Sequence, residues 1–329
     1  QEATSLAREA ALKLGVDPTQ LWIEAQRLQA ALRRPSAVAG TATTTPAPGA
    51  VERDLVALLL ASRGAKVGVN DLGGATDGTG ASAGPAERTV KEIEDLGGVA
   101  VADTSTVATV EGGEAIVGTA LEAFGRVDIV ISNAGILRDK AFHNLTPELL
   151  DPVLDVHLKG AFHVLRPAWV KMREAGYGRV LVTASNSGIL GNFGQSNYGA
   201  AKMGLVGLAR VLAQEGARYN IRANVLAPIA RTRLTEELLG PLAPKLDPGL
   251  VAPVAAWLVS EDCPVTGEIY TAGGGRVARF FVGLTPGYAN PALTLEDVRD
   301  HFAEIRDETG YSVPAGVADE LSSLVERLR

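Results

Sequence analysis

The sequence predicts a doubly wound α/β fold, with helices on both faces of a parallel sheet, and three observations lead to it. Short apolar runs rich in β-branched residues alternate with longer segments of helical period, which is the pattern of successive right-handed βαβ units. Of the residues, 46% are hydrophobic and 5% aromatic, a mix dominated by Ala, Gly, Val and Leu that suits helices packed on a parallel sheet. The length of 329 residues fits one large α/β domain with attachments.

Residues 1–34 are Ala/Leu-rich and charged. Asp17 and Pro18, with Gln20 behind them, form an N-cap, a first-turn proline and a third-position glutamine. They predict a helix from Pro18 to about Leu32 in an N-terminal helical extension. Residues 35–50, PSAVAGTATTTPAPGA, have no helical period and read as a linker or a surrogate first strand. The α/β domain is expected over 51–283. Its first apolar run, Lys66–Asn70, ends at Asp71. A helix over Ala86–Leu96 leads to the strand Val99–Val101, and a helix over Gly112–Phe124 leads to the strand Val127–Ile131. One long helix, Pro147–Ala175, precedes the strand Arg179–Thr183. A helix over Tyr198–Arg218 precedes the strand Ile221–Leu226. Residues 284–329 form a C-terminal tail, where Thr294 caps a helix with Val298, Phe302 and Ile305 on one face.

The net charge of −7 argues against a nucleic-acid or membrane-surface partner, which would call for a basic patch. Cys263 is the single cysteine, so no internal disulfide is possible, which fits a reducing compartment. Neither a transmembrane run nor a targeting signal is apparent at either end, and the cytoplasm is the expected location. No metal site is expected.

The chemistry concentrates in TASNSGILGNFGQSNYGAAK, Thr183 to Lys202. Tyr198 and Lys202 are four residues apart and share a helix face. A lysine ammonium beside a phenol favours the phenolate. Such a phenol can exchange a proton with a substrate hydroxyl or carbonyl while a cofactor carries hydride. Ser185, at a strand end, can hydrogen-bond the developing oxyanion. Asp71 ends its strand where a carboxylate can hold both hydroxyls of an adenosine ribose and repel a 2′-phosphate, which predicts NAD over NADP. The same position also suits a turn aspartate before Gly73.

This block, together with SNAG (Ser132–Gly135), LAPIARTRL (Leu226–Leu234) and GEIYTAGGG (Gly267–Gly275), resembles the short-chain dehydrogenase/reductase family, whose fold is Rossmann-like. The resemblance implies catalytic Ser185, Tyr198 and Lys202, with Lys202 also binding the nicotinamide ribose. It implies cofactor contacts from Asn133, Ala134 and Gly135, and from Pro228, Ile229 and Thr232 beside the nicotinamide. NDLGG (Asn70–Gly74), NAGILRDK (Asn133–Lys140), DVHLKGAF (Asp155–Phe162) and the tail sequence narrow the resemblance to the (3R)-hydroxyacyl-CoA dehydrogenase unit of type 2 peroxisomal multifunctional enzymes and bacterial relatives. That implies NAD-dependent oxidation of a 3-hydroxyacyl-CoA, a share in proton relay for His157, an adenine contact near Asp103 and a homodimer or homotetramer. A hydroxysteroid dehydrogenase or a 3-oxoacyl thioester reductase is the nearest alternative.

The family's TGxxxGxG turn, whose glycines let the backbone approach a pyrophosphate at a helix N-terminus, has no counterpart. It should fall near Thr45–Arg53, in TPAPGAVERD, where only Gly49 survives. A second function class therefore stands beside the enzyme: a cofactor-impaired, non-catalytic module with the dehydrogenase fold.

Overall fold

Residues 51–231 and 244–327 are described by the structure, a computed structural model, and they contain seven strands. All lie in the second of the two units into which the chain divides, Pro48–Arg329. The helical extension expected over 1–34, the linker or strand expected over 35–50, and Thr232 lie outside the described residues.

Helix α1 (Val51–Ala61) precedes strand β1 (Lys66–Asn70). Helix α2 (Gly84–Asp95), with Pro85 in its first turn, leads to β2 (Val99–Asp103). The Thr109 hydroxyl accepts from the Gly112 amide at the start of α3 (Val110–Phe124), and Gly125 ends that helix in the left-handed region at φ 76°, where glycine carries no Cβ penalty. After β3 (Ile129–Ser132) the long predicted helix is broken in two. Helix α4 (Pro147–Leu154) passes through a π-helical segment, Asp155–Lys159, into α5 (Gly160–Ala175). Strand β4 (Gly178–Thr183) leads through the short α6 (Asn186–Leu190) into α7 (Ser196–Gly216), and then come β5 (Ile221–Pro228), α8 (Ala252–Leu258), β6 (Ile269–Gly273) and β7 (Arg276–Phe280). In the tail, Thr294 and Asp297 form a capping box on α9 (Leu295–Asp300). The single helix expected there breaks at His301, with α10 (Phe302–Ile305) and then α11 (Val317–Arg327) beyond it.

The strands make two sheets. β1 pairs with β2 in parallel, while β3-β4-β5-β6 run parallel and β7 adds antiparallel on β6. Among the described residues no strand joins β1 to β3. Helices span that division instead. On α1, Val56 buries with Leu181, Leu226 and Val251 against the larger sheet, whereas its neighbour Ala57 buries with Val69, Ala86 and Ile93 against the smaller one. Helix α3 packs on α5 as well as on β1 and β2. The glycine-rich loop after β1 also crosses: Leu137 N donates to Thr76 O (2.9 Å) and Arg138 Nε to Asp77 O (2.9 Å). Gly73 in that loop has φ +72°, and a Cβ there would meet Ser82 O at 1.9 Å, so only glycine allows the loop to close. No helix among the described residues is long and apolar enough to cross a membrane. No group of three metal-ligating side chains occurs among them either.

The two-stranded sheet has a polar pin. The Asp103 carboxylate accepts from Asn70 Nδ2 (2.8 Å), Ser105 N (2.8 Å) and Thr119 Oγ1 (2.8 Å), joining β1, β2 and α3. Replacing Asp103→Ala removes the acceptor common to all three elements and strands Ser105 N, while Asn70 Nδ2 keeps Ser105 O and Thr119 Oγ1 keeps Ala115 O, and should cost about 1–2 kcal/mol. Chemical denaturation measures this, and a loss below about 0.5 kcal/mol, the range of an ordinary surface substitution, would show that the pin is dispensable.

Candidate active site

The site gathers at the C-terminal ends of the strands, where open α/β sheets leave a crevice. Ser185 follows β4 and caps α6, its Oγ accepting from the Ser187 amide at 3.2 Å, which leaves the hydroxyl proton to be donated. Tyr198 and Lys202 lie on the first turns of α7. Lys202 is 3% exposed, its Nζ stands 5.7 Å from the centroid of the Tyr198 ring, and it donates to Thr183 O at the end of β4. One ammonium thus ties the helix bearing the phenol to the strand bearing the serine. Gly188 makes the close fit of α6 on α7 possible: a Cβ there would meet the Lys202 Cβ and the Met203 amide nitrogen, both at 2.9 Å.

His157 stands on the π-helical segment, a form common at functional sites because it re-aims one side chain. Its ring meets that of Tyr198 edge to face, with centroids 5.1 Å apart at 89°. According to tautomer, its Nε2 accepts from Ile136 N (3.0 Å) or donates to Ile136 O (2.8 Å). Burial, then the nearby Lys202 charge, pushes its pKa down to about 3 against the opposing bond to Ile136. The imidazole is therefore neutral at physiological pH. Gly135 lies against this ring, since a Cβ there would come within 2.4 Å of His157 Cε1.

The segment Asn133–Gly135 follows β3, and Pro228 closes β5, with Ile229 N donating to Ala272 O (2.7 Å). Asp71 and Asp103 end β1 and β2 on the smaller sheet. Asp71 Oδ1 accepts from Gly73 N (2.7 Å), the turn geometry that is the plain alternative to ribose binding. The Asp103 carboxylate is occupied by its three donors. The structure thus brings Ser185, Tyr198, Lys202, His157 and Gly135 together, and sets Asp71 and Asp103 on a separate sheet.

A nicotinamide dinucleotide could lie along these strand ends, and the donor set suits its two ends unequally. A lysine, a phenol and a serine crowd the reactive end, and a carboxylate stands at the ribose end. Between them, the described residues before β1 offer no glycine-rich turn for the phosphates.

Sequence reasoning passed over Gln195 and Asn197, which are 5% and 1% exposed and hydrogen-bonded to the loop after β3. Their place within two turns of Tyr198 was a signal, because amides in a helix's first turn often serve its unsatisfied ends.

Comparison with known proteins gives the same architecture. The model of the short chain dehydrogenase family matches residues 56–239. A short-chain type dehydrogenase/reductase of Mycobacterium tuberculosis is 52% identical over 271 residues, 82% of this chain and 94% of that one. The peroxisomal multifunctional enzyme A of Dictyostelium discoideum is 43% identical over 270 residues, 82% of this chain. The full-length peroxisomal multifunctional enzyme type 2 of Drosophila melanogaster superposes with a TM-score of 0.69 at 35% identity, over 84% of this chain. The chain spans 60% of the Dictyostelium enzyme and 47% of the Drosophila one. With the strand-end serine, the tyrosine–lysine pair and these matches in agreement, the chain belongs to the short-chain dehydrogenase family of oxidoreductases.

Proposed function

We propose that this protein oxidises a 3-hydroxyacyl-CoA to the 3-ketoacyl-CoA with NAD. The convergence of Ser185, Tyr198 and Lys202 carries this reading, and the likeness to multifunctional enzymes of the peroxisome supports the thioester substrate. Ser185 donates its hydroxyl proton to the substrate oxygen and holds it. The Tyr198 phenolate accepts the substrate's hydroxyl proton, and the Lys202 ammonium stabilises that phenolate. When bound, the nicotinamide supplies the hydride acceptor. Lys202 and the Asn133–Gly135 segment would hold its ribose, Pro228, Ile229 and Thr232 its ring, Asp71 the adenosine ribose and Asp103 the adenine side. His157 holds the loop after β3 through Ile136, and we assign it that role in place of a share in proton relay, because its ring stays neutral and is turned to backbone.

The division between β1 and β3 favours a second reading, a module that keeps the fold and the proton-handling residues but binds NAD weakly. Calorimetric titration with NAD separates the two. Micromolar affinity, with NADP weaker by an order of magnitude and that preference lost in Asp71→Ala, is expected for the enzyme. No heat at millimolar NAD would overturn the enzyme and leave the module.

With turnover established, Tyr198→Phe should lower kcat by about 10²–10⁴-fold, the usual share of a general base. Reduction of NAD by a 3-hydroxyacyl-CoA measures it, and unchanged turnover would remove Tyr198 from the mechanism. A stability measurement tests His157. The unfolded ring takes a proton near pH 6.5 and the folded ring near pH 3. The unfolded state therefore binds more protons between those values, and stability falls as the pH drops through that window. At pH 4.5 the loss is roughly 2–3 kcal/mol. It should be absent from His157→Asn, as paired denaturation curves at pH 7 and pH 4.5 would record.

A further inference from the structure

We propose that Asn197 is a positioning residue, which sets the Tyr198 phenol relative to both Lys202 and the loop after β3. The proposal rests on the dehydrogenase reading of the site.

The Asn197 side chain is 1% exposed, and both its amide hydrogens and its carbonyl oxygen are hydrogen-bonded. Its Nδ2 donates to Arg138 O (2.9 Å), in the loop after β3, and to Leu149 O (2.9 Å), on α4. Its Oδ1 accepts from Tyr198 N (2.8 Å). Two carbonyls and one amide suit only a carboxamide in this orientation, because two donors face the carbonyls and one acceptor faces the amide. An aspartate of the same shape would turn an oxygen toward two carbonyl oxygens.

The amide it satisfies matters. The first amides of a helix have no partner within the helix. At α7 the capping position, Gln195, makes no side-chain capping bond. The Gln195 side chain is committed elsewhere, with Nε2 donating to Asp139 Oδ2 (2.7 Å) and Oε1 accepting from Asn192 Nδ2 (3.0 Å). Asn197 thus anchors the turn that carries Tyr198, while Lys202 sits one turn deeper and is held to Thr183 O.

The loop that Asn197 grips is held along its length from Ile136 to Lys140. Ile136 meets His157, Arg138 O meets Asn197, Asp139 meets Gln195, and Lys140 N donates to Gly194 O (2.8 Å). The Asn133–Gly135 segment enters that loop directly from β3. One buried carboxamide therefore fixes the distance between the segment facing the cofactor and the phenol that handles the proton. Fraying at Ser196–Tyr198 would move the ring relative to Lys202, whose Nζ stands 5.7 Å from its centroid, and leave the rest of α7 in place. Misplacement of this order costs rate far more than it costs substrate binding.

Two variants and three readouts test the proposal. Asn197→Ala removes all three bonds. Asn197→Ser keeps an acceptor for Tyr198 N without setting a charge against the two carbonyls, and serves where the alanine variant does not fold. In each folded variant, the pH at which the Tyr198 phenol ionises should rise, and most in Asn197→Ala, because the ammonium's influence falls with distance. It is read from tyrosinate absorbance with Tyr198→Phe as the blank. kcat should fall by about 10–100-fold, KM should change less than about threefold, and raising the pH should recover part of the loss. A residue serving stability alone would lower the melting temperature and leave the phenol's titration, and the pH profile of each folded molecule, where they were. That result in both variants would overturn the proposal. If the wild-type protein shows no turnover, the dehydrogenase reading falls, and the absorbance titration still decides whether Asn197 positions Tyr198.

Discussion

Val56 and Ala57 are adjacent on α1, yet they bury in different cores, one against the five-stranded sheet and one against the two-stranded sheet. The alignment of the two sheets at the crevice depends on that shared helix. A strand pair and a larger sheet with no ladder between them, among the described residues, are held by packing on one face through α1 and on the other through α3 and α5. Packing of this kind transmits alignment through close contact of small side chains and tolerates little change of volume. The loop hydrogen bonds from Leu137 to Thr76 O and from Arg138 to Asp77 O add direction to it.

The proton-handling half of the site has none of this dependence. β4, α6 and α7 are neighbours in sequence and space, and Lys202 ties them through Thr183 O. Ser185 needs only the end of β4 to be placed, and Tyr198 needs only the first turn of α7. The carboxylates expected to meet a dinucleotide's ribose and adenine stand on the smaller sheet. Their position relative to the phenol passes through the helices. One half of the site is thus built from local contacts, and the other from contacts between residues distant in sequence.

That difference also explains what could be read from the sequence. The strands after the first glycine-rich loop are written in their own residues. Arg179–Thr183 and Ile221–Leu226 were legible to within a residue or two because a buried parallel strand reads as a near-continuous apolar run, and Lys66–Asn70 was legible from its alternating valines. The Tyr198–Lys202 spacing and the serine thirteen residues earlier were likewise legible. The π-helical segment at Asp155–Lys159 was not, because its extra residue is stabilised by the contact of His157 with Ile136, twenty-one residues back in the chain. Helix α1 was not anticipated, because its first residues, Val51–Arg53, fall where the resembling family has its glycine-rich turn. The division of the sheet was beyond any local pattern, since strand pairing is decided between segments.

Gly135 and His157 form a single unit of choice. A methyl group at 135 would occupy the space of the imidazole carbon, so neither position can be altered without reference to the other. A side chain at 135 becomes admissible only after the ring at 157 has been replaced by something smaller, and that order of replacement surrenders the grip on Ile136 first. In this chain a histidine on the π-helical turn therefore calls for glycine opposite it. The route to a different residue at either place runs through an intermediate with a loosened loop.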